Sequence, residues 1–242
     1  QTLPFSLNSI APAAGGAGGR VTVEVSGAAL RDTTVVTLEQ SGLVLATATL
    51  AQFRNSTDEL VRFDLTGVAL GVYDFVARNG ASTVVLPGAF SVEPARPIAV
   101  QIHTSNPDVL RRTAIGNFTV QLTNTSNQDV PVVSARVLFP ATSALRSLSA
   151  DAGLRTMSQL VHSLTPVTGD VAVLHRIDGL DSIAAVDLVG ANLAPGETRS
   201  FTLGVSEFNT SPYSLRVLAE GMTVIEFLNR RSAEIEAARR AL

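Results

Sequence analysis

Apolar and polar residues alternate along much of the chain, which is the periodicity of β-strands that bury one face. Valine occupies every second position from 21 to 25, and the same alternation returns at 61–66. Glycine, asparagine and serine separate such stretches and mark turns. We therefore predict about seven short strands in the first 95 residues, as in a β-sandwich; the later ones are placed at 34–40, 43–53, 59–66, 72–78 and 82–92.

Asn79-Gly80 is the strongest hairpin signal in this region. Both central positions of a type I′ turn need a positive φ, which these two residue types tolerate, so we predict a type I′ hairpin here. Tyr73 lies near a predicted strand start, where a tyrosine corner and a binding role are equally compatible with the sequence. Phe63, Phe75 and other phenylalanines fall at alternating positions and are predicted to fill a core.

Alternation resumes after residue 98 and predicts a second, less sharply defined β-sandwich. Its strands are placed at 98–102, 118–122, 130–139, 160–165, 171–177, 183–189, 199–206 and 213–218. Between the two sets lie Pro94 and Pro97, which fix φ and remove amide donors, so no sheet can run through them. We predict one domain at 1–95 and a second at 98–220, joined by a short, stiff connection.

The last residues, 221–242, change to a helical period. Thr223 and Glu226 match a capping box, in which each side chain satisfies a free backbone amide of the other. Met222, Ile225, Leu228 and Ile235 share one stripe, with Ala238 and Leu242 nearby, and this stripe is expected to pack on the second sandwich or on a following region. The helical pattern has no stop signal and the chain opens with Gln1, so we interpret it as a piece of a longer protein.

Composition narrows the possible chemistry. The 242 residues include 18 arginines, no lysine and no cysteine, with a net charge of −3. Lysine Schiff bases, a P-loop, thiolate catalysis, disulfides and cysteine-bound zinc are therefore excluded. The charge argues against a nucleic-acid partner, and no apolar run reaches the roughly 20 residues that a membrane-spanning helix needs.

Carboxylates are densest between Asp170 and Asp187. Within this stretch, Asp178 and Asp181 flank Gly179 and are the candidate calcium ligands, because loop carboxylates supply the oxygen atoms that calcium prefers. The spacing is not that of a calcium-binding loop, and solvated turn carboxylates are the alternative. No histidine pair and no G-x-S-x-G motif occurs, so we predict no catalytic residue and no cofactor other than this calcium.

Two stretches carry a family resemblance. The opening PFSLNSIAPAAGGAGGRVTVEVSGAAL, followed by GVYDFVARN and AFSVEP, resembles IPT/TIG-type immunoglobulin-like domains over about residues 4–93. The pieces GNFTVQLTNTSNQDVP and LAPGETRSFTLGVS resemble, more loosely, bacterial immunoglobulin-like modules of the CARDB type. These resemblances imply an all-β fold of two tandem immunoglobulin-like β-sandwiches, here followed by a C-terminal α-helix.

The resemblances also imply a function. We expect a non-catalytic structural or adhesion-type module of a large secreted or cell-surface bacterial protein, acting as a stiff spacer or an interaction scaffold. Its partners would be other domains of the same chain, a protein or glycan receptor, or further copies of itself. The alternatives are a ligand-binding module that uses sandwich loops, a subunit of an extracellular fibre, and an accessory part of a secreted enzyme.

Overall fold

The computed structural model describes residues 3–105, 114–140, 144–151, 154–156, 175–177, 180–206 and 216–240. They form two compact units. Unit 1 comprises Gln1–Ile98, Thr125–Asp129 and Ala194–Gly196, and unit 2 comprises Ala99–Asn124, Val130–Leu193 and Glu197–Leu242.

Unit 1 is a sandwich of two sheets. Its strands are β1 (Ser6–Ala11), β2 (Ala14–Gly16), β3 (Arg20–Ala28), β4 (Val35–Gln40), β5 (Leu43–Thr47), β6 (Thr49–Asn55), β7 (Asp58–Asp64), β8 (Gly71–Asn79) and β9 (Ser82–Glu93). One sheet has the order β1-β3-β7-β6 and the other β2-β9-β8-β4-β5. All pairings are antiparallel except that of β2 with β9. This strand order is that of an immunoglobulin-like sandwich.

The core of unit 1 follows directly from the alternation. Val21, Val23 and Val25 are fully buried on β3, and Phe63, Phe75 and Phe90 meet them from three other strands. The Phe63 ring lies 5.7 Å from that of Phe75 in an edge-to-face arrangement and 5.9 Å from that of Phe90. The prediction that these phenylalanines fill a core is therefore confirmed.

Two details of unit 1 differ from the predictions. The predicted strand 43–53 is two strands, because the chain changes sheets at Ala48, whose amide donates to the Val36 carbonyl. The hairpin at Asn79-Gly80 is present, but its central residues are Gly80 and Ala81, since Asn79 pairs with Ser82. Only Gly80 has a positive φ (59°), so the turn is not of type I′.

Unit 2 is also built from two sheets. Its strands are β10 (Val100–Ser105), β11 (Ile115–Asn124), β12 (Val130–Pro140), β13 (Ala144–Ala150), β14 (Leu154–Thr156), β15 (His175–Ile177), β16 (Leu180–Leu193), β17 (Thr198–Ser206) and β18 (Arg216–Met222). One sheet has the order β10-β11-β17-β13. The other has the order β14-β16-β12-β18, with β15 paired to β16. The described part of the predicted last strand at 213–218 lies in β18, which ends later, at Met222. Residues 213–215, including Tyr213, lie outside the described residues.

The inner faces of unit 2 are apolar. On β11, Phe118, Val120 and Leu122 are buried, and on β12 the same is true of Val137 and Phe139. Alternate residues on these strands face outward, as the period-two pattern requires. The predicted all-β class, with two immunoglobulin-like sandwiches and a C-terminal helix, is confirmed.

Helix α1 (Val224–Arg240) begins at the predicted capping box. The Glu226 amide donates to Thr223 Oγ1 at 3.2 Å, and the Thr223 amide donates to Glu226 Oε2 at 2.8 Å. The hydrogen bonds that Thr223 donates to the carboxylate, from its amide and from Oγ1, lower the pKa of Glu226. Among the described residues, no helix is both long and apolar enough to cross a membrane.

The predicted apolar stripe of the helix is only partly correct. Phe227, which the stripe omitted, packs against the outer face of the β12 sheet on Val132, Val189 and Met222. Ile225 and Leu228 instead point to solvent, with 71% and 59% of their surface exposed. The remaining members, the side chains of Ile235 and Ala238 and the whole of Leu242, lie outside the described residues. The helix therefore contacts the β12 sheet through one aromatic side chain and through the ion pairs of Arg230 and Arg231 with strand residues.

Candidate functional site

A groove of about 340 Å³ lies in unit 2 along β18, which is the last strand of its sheet. We call it the β18 groove. Consecutive β18 residues from 217 to 220 line one wall, Ile102 of β10 contributes an apolar side chain, and α1 forms the other wall through Phe227, Arg230, Arg231 and Glu234. Ser134, Arg136 and Asp187 reach it from the outer face of the sheet.

The floor of the β18 groove holds a bidentate ion pair. Arg136 donates from Nε to Asp187 Oδ1 at 2.6 Å and from Nη2 to Asp187 Oδ2 at 2.8 Å. The pairing register places them directly opposite each other on β12 and β16. Asp187 is only 8% exposed, and its hydrogen bonds with Arg136 raise the pKa of the guanidinium. The pair therefore fixes two neighbouring strands rather than presenting a free charge.

The helix wall is held by two further arginines. Arg230 lies 2.6 Å from Glu220 of β18, and Arg231 lies 2.6 Å from Glu234 and 3.8 Å from Asp187. The Arg231 guanidinium is also 5.5 Å from the centre of the Phe227 ring, within cation–π range. The capping box sets where the helix starts, and Phe227 and these ion pairs then hold it on the sheet.

The charges of the β18 groove are thus balanced among themselves. Each of its arginines pairs with a carboxylate of the same groove. What remains available is the main chain of β18, because among the described strands it pairs with β12 alone. An open strand edge accepts another extended chain by backbone hydrogen bonds. The groove is therefore suited to bind a polypeptide strand.

Unit 1 has a comparable polar cluster on the outer face of β4 and β8. Arg78 donates from Nη2 to Glu39 Oε2 at 3.1 Å and from Nη1 to Thr37 Oγ1 at 3.0 Å. Thr37 in turn donates to Glu39 Oε1 at 2.6 Å. The hydrogen bonds from Arg78 and Thr37 lower the pKa of Glu39. This cluster also joins neighbouring strands.

A second polar cluster in unit 1 surrounds Asp129. Its carboxylate accepts from the Thr22 amide at 2.8 Å, from Thr22 Oγ1 at 2.7 Å and from Arg62 Nε at 3.2 Å. Burial raises the pKa of Asp129, while the hydrogen bonds from Thr22 and Arg62 act in the opposite direction. Asp129 is thus a structural carboxylate that is saturated with donors.

Glu59 is the exception to this pairing. It lies on β7 on the same inward face as Val61 and Phe63, it is fully buried, and neither carboxylate oxygen has a hydrogen-bond partner. Burial, with a smaller contribution from the neighbouring Asp58, raises the pKa of Glu59 to about 7. Its buried position inside the core gives it a role in pH-dependent stability.

The predicted calcium ligands are not tested by the structure. Asp178 lies outside the described residues. Asp181 is the second residue of β16, and its side chain also lies outside them. The described residues contain no group of three or more side chains suited to hold a metal ion. Asp187, from the same carboxylate-rich stretch, is not a turn residue but a buried strand residue paired with Arg136.

Sequence reasoning did not identify Arg136, Glu220 or Arg231 as members of one site. The available signal was weak: Arg136 occupies the polar position of an alternating strand, and Asp187 interrupts an apolar run. Their pairing depends on the register of β12 against β16, two strands about 50 residues apart, which a single sequence does not supply.

Comparisons with known proteins give distant similarities. No family model matches the chain, and no curated protein is similar to it in sequence. Among solved structures, the collagen adhesin CNA of S. aureus aligns over 88% of this chain and 85% of its own, with 10% identity and a TM-score of 0.27. The collagen binding domain of the surface protein RspB of Erysipelothrix rhusiopathiae aligns over 90% and 86%, with 9% identity and a TM-score of 0.26.

A third solved structure is SGBP-B from a xyloglucan utilization locus of Bacteroides uniformis. It covers 91% of this chain and 72% of its own, with 11% identity and a TM-score of 0.27. At these TM-scores and identities the three alignments carry no argument about function.

Proposed function

We propose that this chain is a non-catalytic structural or adhesion-type module of a large extracellular bacterial protein, where it acts as a stiff spacer or an interaction scaffold. One observation carries this proposal: charged side chains on the sheet faces form ion pairs between neighbouring strands of the same unit. Arg136–Asp187 in unit 2 and Arg78–Glu39 in unit 1 both bridge neighbouring strands on an outer sheet face. The resemblance to IPT/TIG-type and CARDB-type modules supports the same function and a secreted or cell-surface location.

A bead adhesion assay tests this proposal. Beads that carry the purified 242-residue chain would be exposed to surfaces coated with extracellular-matrix proteins or with glycans, and turnover of peptide and glycoside substrates would be followed in parallel. We expect the beads either to adhere to a coated surface or to bind none of them, and in both cases we expect no turnover of the substrates. A turnover activity that a single substitution abolishes while the fold stays intact would contradict the proposal.

A ligand-binding function is the second candidate, and an exposed apolar patch on unit 1 favours it. The patch lies on the consecutive edge strands β5 and β6, where Leu43 is 65%, Leu50 41% and Phe53 39% exposed. Exposed apolar side chains on strand edges mark a protein-interaction site where they are contiguous. It would take a protein receptor rather than a small polar ligand.

Substitution within the patch distinguishes this second candidate. Replacing Leu43 and Phe53 together by serine should reduce any adhesion that the bead assay detects, without lowering the melting temperature substantially. Val85→Ser is the matched control, since Val85 is similarly exposed (44%) but lies on β9. Equal adhesion of both variants and the original chain would show that the patch is not the binding surface.

A further inference from the structure

In the described part of the chain, the sheet that contains β18 ends at that strand, whereas its counterpart in unit 1 continues beyond β8 with β9 and β2. In unit 1, β8 pairs with β4 on one side and with β9 on the other. In unit 2, β18 pairs with β12 in the same way, but the chain then enters α1. Among the described residues, no strand occupies the position that β9 holds in unit 1.

Burial shows the consequence of this open edge. On β8, which β9 flanks, the inward residues Tyr73, Phe75 and Ala77 are at most 1% exposed. On β18, the inward Val217 and Ala219 remain half-buried and line the β18 groove. Their direct neighbours on β12, Val137 and Ala135, are fully buried. An added strand would complete the burial of this side of the core.

The outer face of β18 indicates which strand fits. Arg216, Leu218 and Glu220 follow one another at alternate positions and all are exposed, Leu218 by 51%. Two β18 strands are therefore complementary to each other when they run antiparallel with Leu218 opposite Leu218. Each Arg216 would then face the Glu220 of a second copy, the two Leu218 side chains would meet, and each Val217 would face an Ala219.

We propose that β18 is a homodimerisation edge, at which two copies of this chain pair their β18 strands antiparallel about a two-fold axis through Leu218. The partner is a second copy because, in this self-paired register, every charge of β18 faces the opposite charge of the other strand. The ion pair of Glu220 with Arg230 is compatible with it, since both side chains are more than half exposed and a carboxylate can accept from two arginines. The inference is independent of the proposed function.

Charge reversal provides the test, with sedimentation velocity of the purified 242-residue chain over a wide concentration range. The original chain should show a reversible monomer–dimer equilibrium. Arg216→Glu or Glu220→Arg alone should weaken the dimer about tenfold or more, because two attractive cross-strand pairs become repulsive. An equimolar mixture of the two variants should form a heterodimer as stable as the original homodimer, since the opposite charges then face each other again.

Controls separate this result from general effects of charge or folding. Arg20→Glu makes the same charge change at an exposed arginine of unit 1 and should leave dimerisation unchanged. Thermal melting of every variant confirms that it is folded. A synthetic peptide with the sequence of β18, RVLAEGM, should compete with dimerisation, and a scrambled peptide should not.

Several results would overturn the inference. The original chain could stay monomeric at all concentrations. Both charge reversals could leave the stability of the dimer unchanged, or the mixture of the two variants could fail to form a heterodimer. A chain that stays monomeric yet binds the β18 peptide would likewise reject the homodimer, and would instead indicate that the edge receives a strand from a different protein.

Discussion

The Tyr73 hydroxyl donates a hydrogen bond of 2.6 Å to the carbonyl oxygen of Ala69, four residues earlier in the chain. Tyr73 is 1% exposed and stands near the start of β8, so its ring fills the core while its hydroxyl holds the connection that follows β7. This is the tyrosine corner of immunoglobulin-like sandwiches. Of the two roles that the sequence left open for Tyr73, the structural one is observed.

Tyr73→Phe should therefore destabilise unit 1 by about 1 kcal/mol, because it removes one buried hydrogen bond and leaves the Ala69 carbonyl without this donor. Denaturant unfolding followed by circular dichroism measures the change. Tyr73→Leu should cost more, since it also leaves a cavity in the core. If Tyr73→Phe were as stable as the original chain, the hydroxyl would not be what holds the connection.

The strands of unit 1 could be predicted largely from the sequence, because each inward face is a simple alternation. The valines of β3 and the phenylalanines of β7 and β8 show this period directly. The division of 43–53 into β5 and β6 could not be predicted in this way. Both strands are exposed along much of their length, so no clear inward pattern marks where the chain changes sheets.

The candidate site was less predictable than the fold. The capping box at Thr223 was recognisable because both of its residues are close in sequence. By contrast, Arg136, Asp187 and Arg231 meet through strand register and helix docking, which are tertiary properties. The helix also departs from its apolar stripe, since Phe227 and Arg231 face the sheet while Ile225 and Leu228 do not.

Removing one partner of the Arg136–Asp187 pair should be costly. Arg136→Met should destabilise unit 2 by about 2 kcal/mol, because it removes the bidentate partner of the buried Asp187 carboxylate. The double variant Arg136→Met/Asp187→Leu should recover much of this loss, since no buried charge remains. Urea unfolding of the single and double variants gives the coupling free energy. Strictly additive effects would show that the two side chains do not interact.

The capping box should control the start of α1. Thr223→Ala should lower the stability of the first helical turn by about 1 kcal/mol, because the N-cap hydroxyl no longer accepts from the Glu226 amide. Hydrogen exchange of the amides from Glu226 to Leu228 reports this fraying directly. Ser232→Ala, an exposed change in the middle of the helix, is the control and should not increase exchange. Faster exchange in the control as well would point to general loosening of the helix.

Gly27 should tolerate no side chain, because a Cβ there would collide with the Ser6 carbonyl oxygen of the neighbouring strand. Gly27→Ala should therefore separate β1 from β3 or shift both, and lower stability by about 2 kcal/mol. Ser26→Ala changes the adjacent, half-buried residue and should have a small effect. Thermal melting compares the two variants. Equal melting temperatures would show that β1 accommodates the extra carbon without loss.

Glu59 should make stability depend on pH. Its pKa is raised to about 7 in the folded state from the ordinary value of 4.5, so between these values the unfolded chain releases a proton that the folded chain retains. The contribution of Glu59 to stability should therefore be greatest below about pH 4.5, decline as the pH rises toward 7 and level off above it. The upper limit of the loss is about 3 kcal/mol, from the size of the pKa shift.

Glu59→Gln isolates this effect, because the amide is nearly the same size but does not ionise. The stability of the variant, measured by urea unfolding from pH 5 to pH 8, should change less with pH than that of the original chain, and the difference between them should shift in favour of the variant as the pH rises. Asp58→Asn is the control for the neighbouring charge: it should lower the pKa of Glu59 only slightly, because burial is the larger cause. If Glu59→Gln kept the full pH dependence, another group would have to be responsible for it.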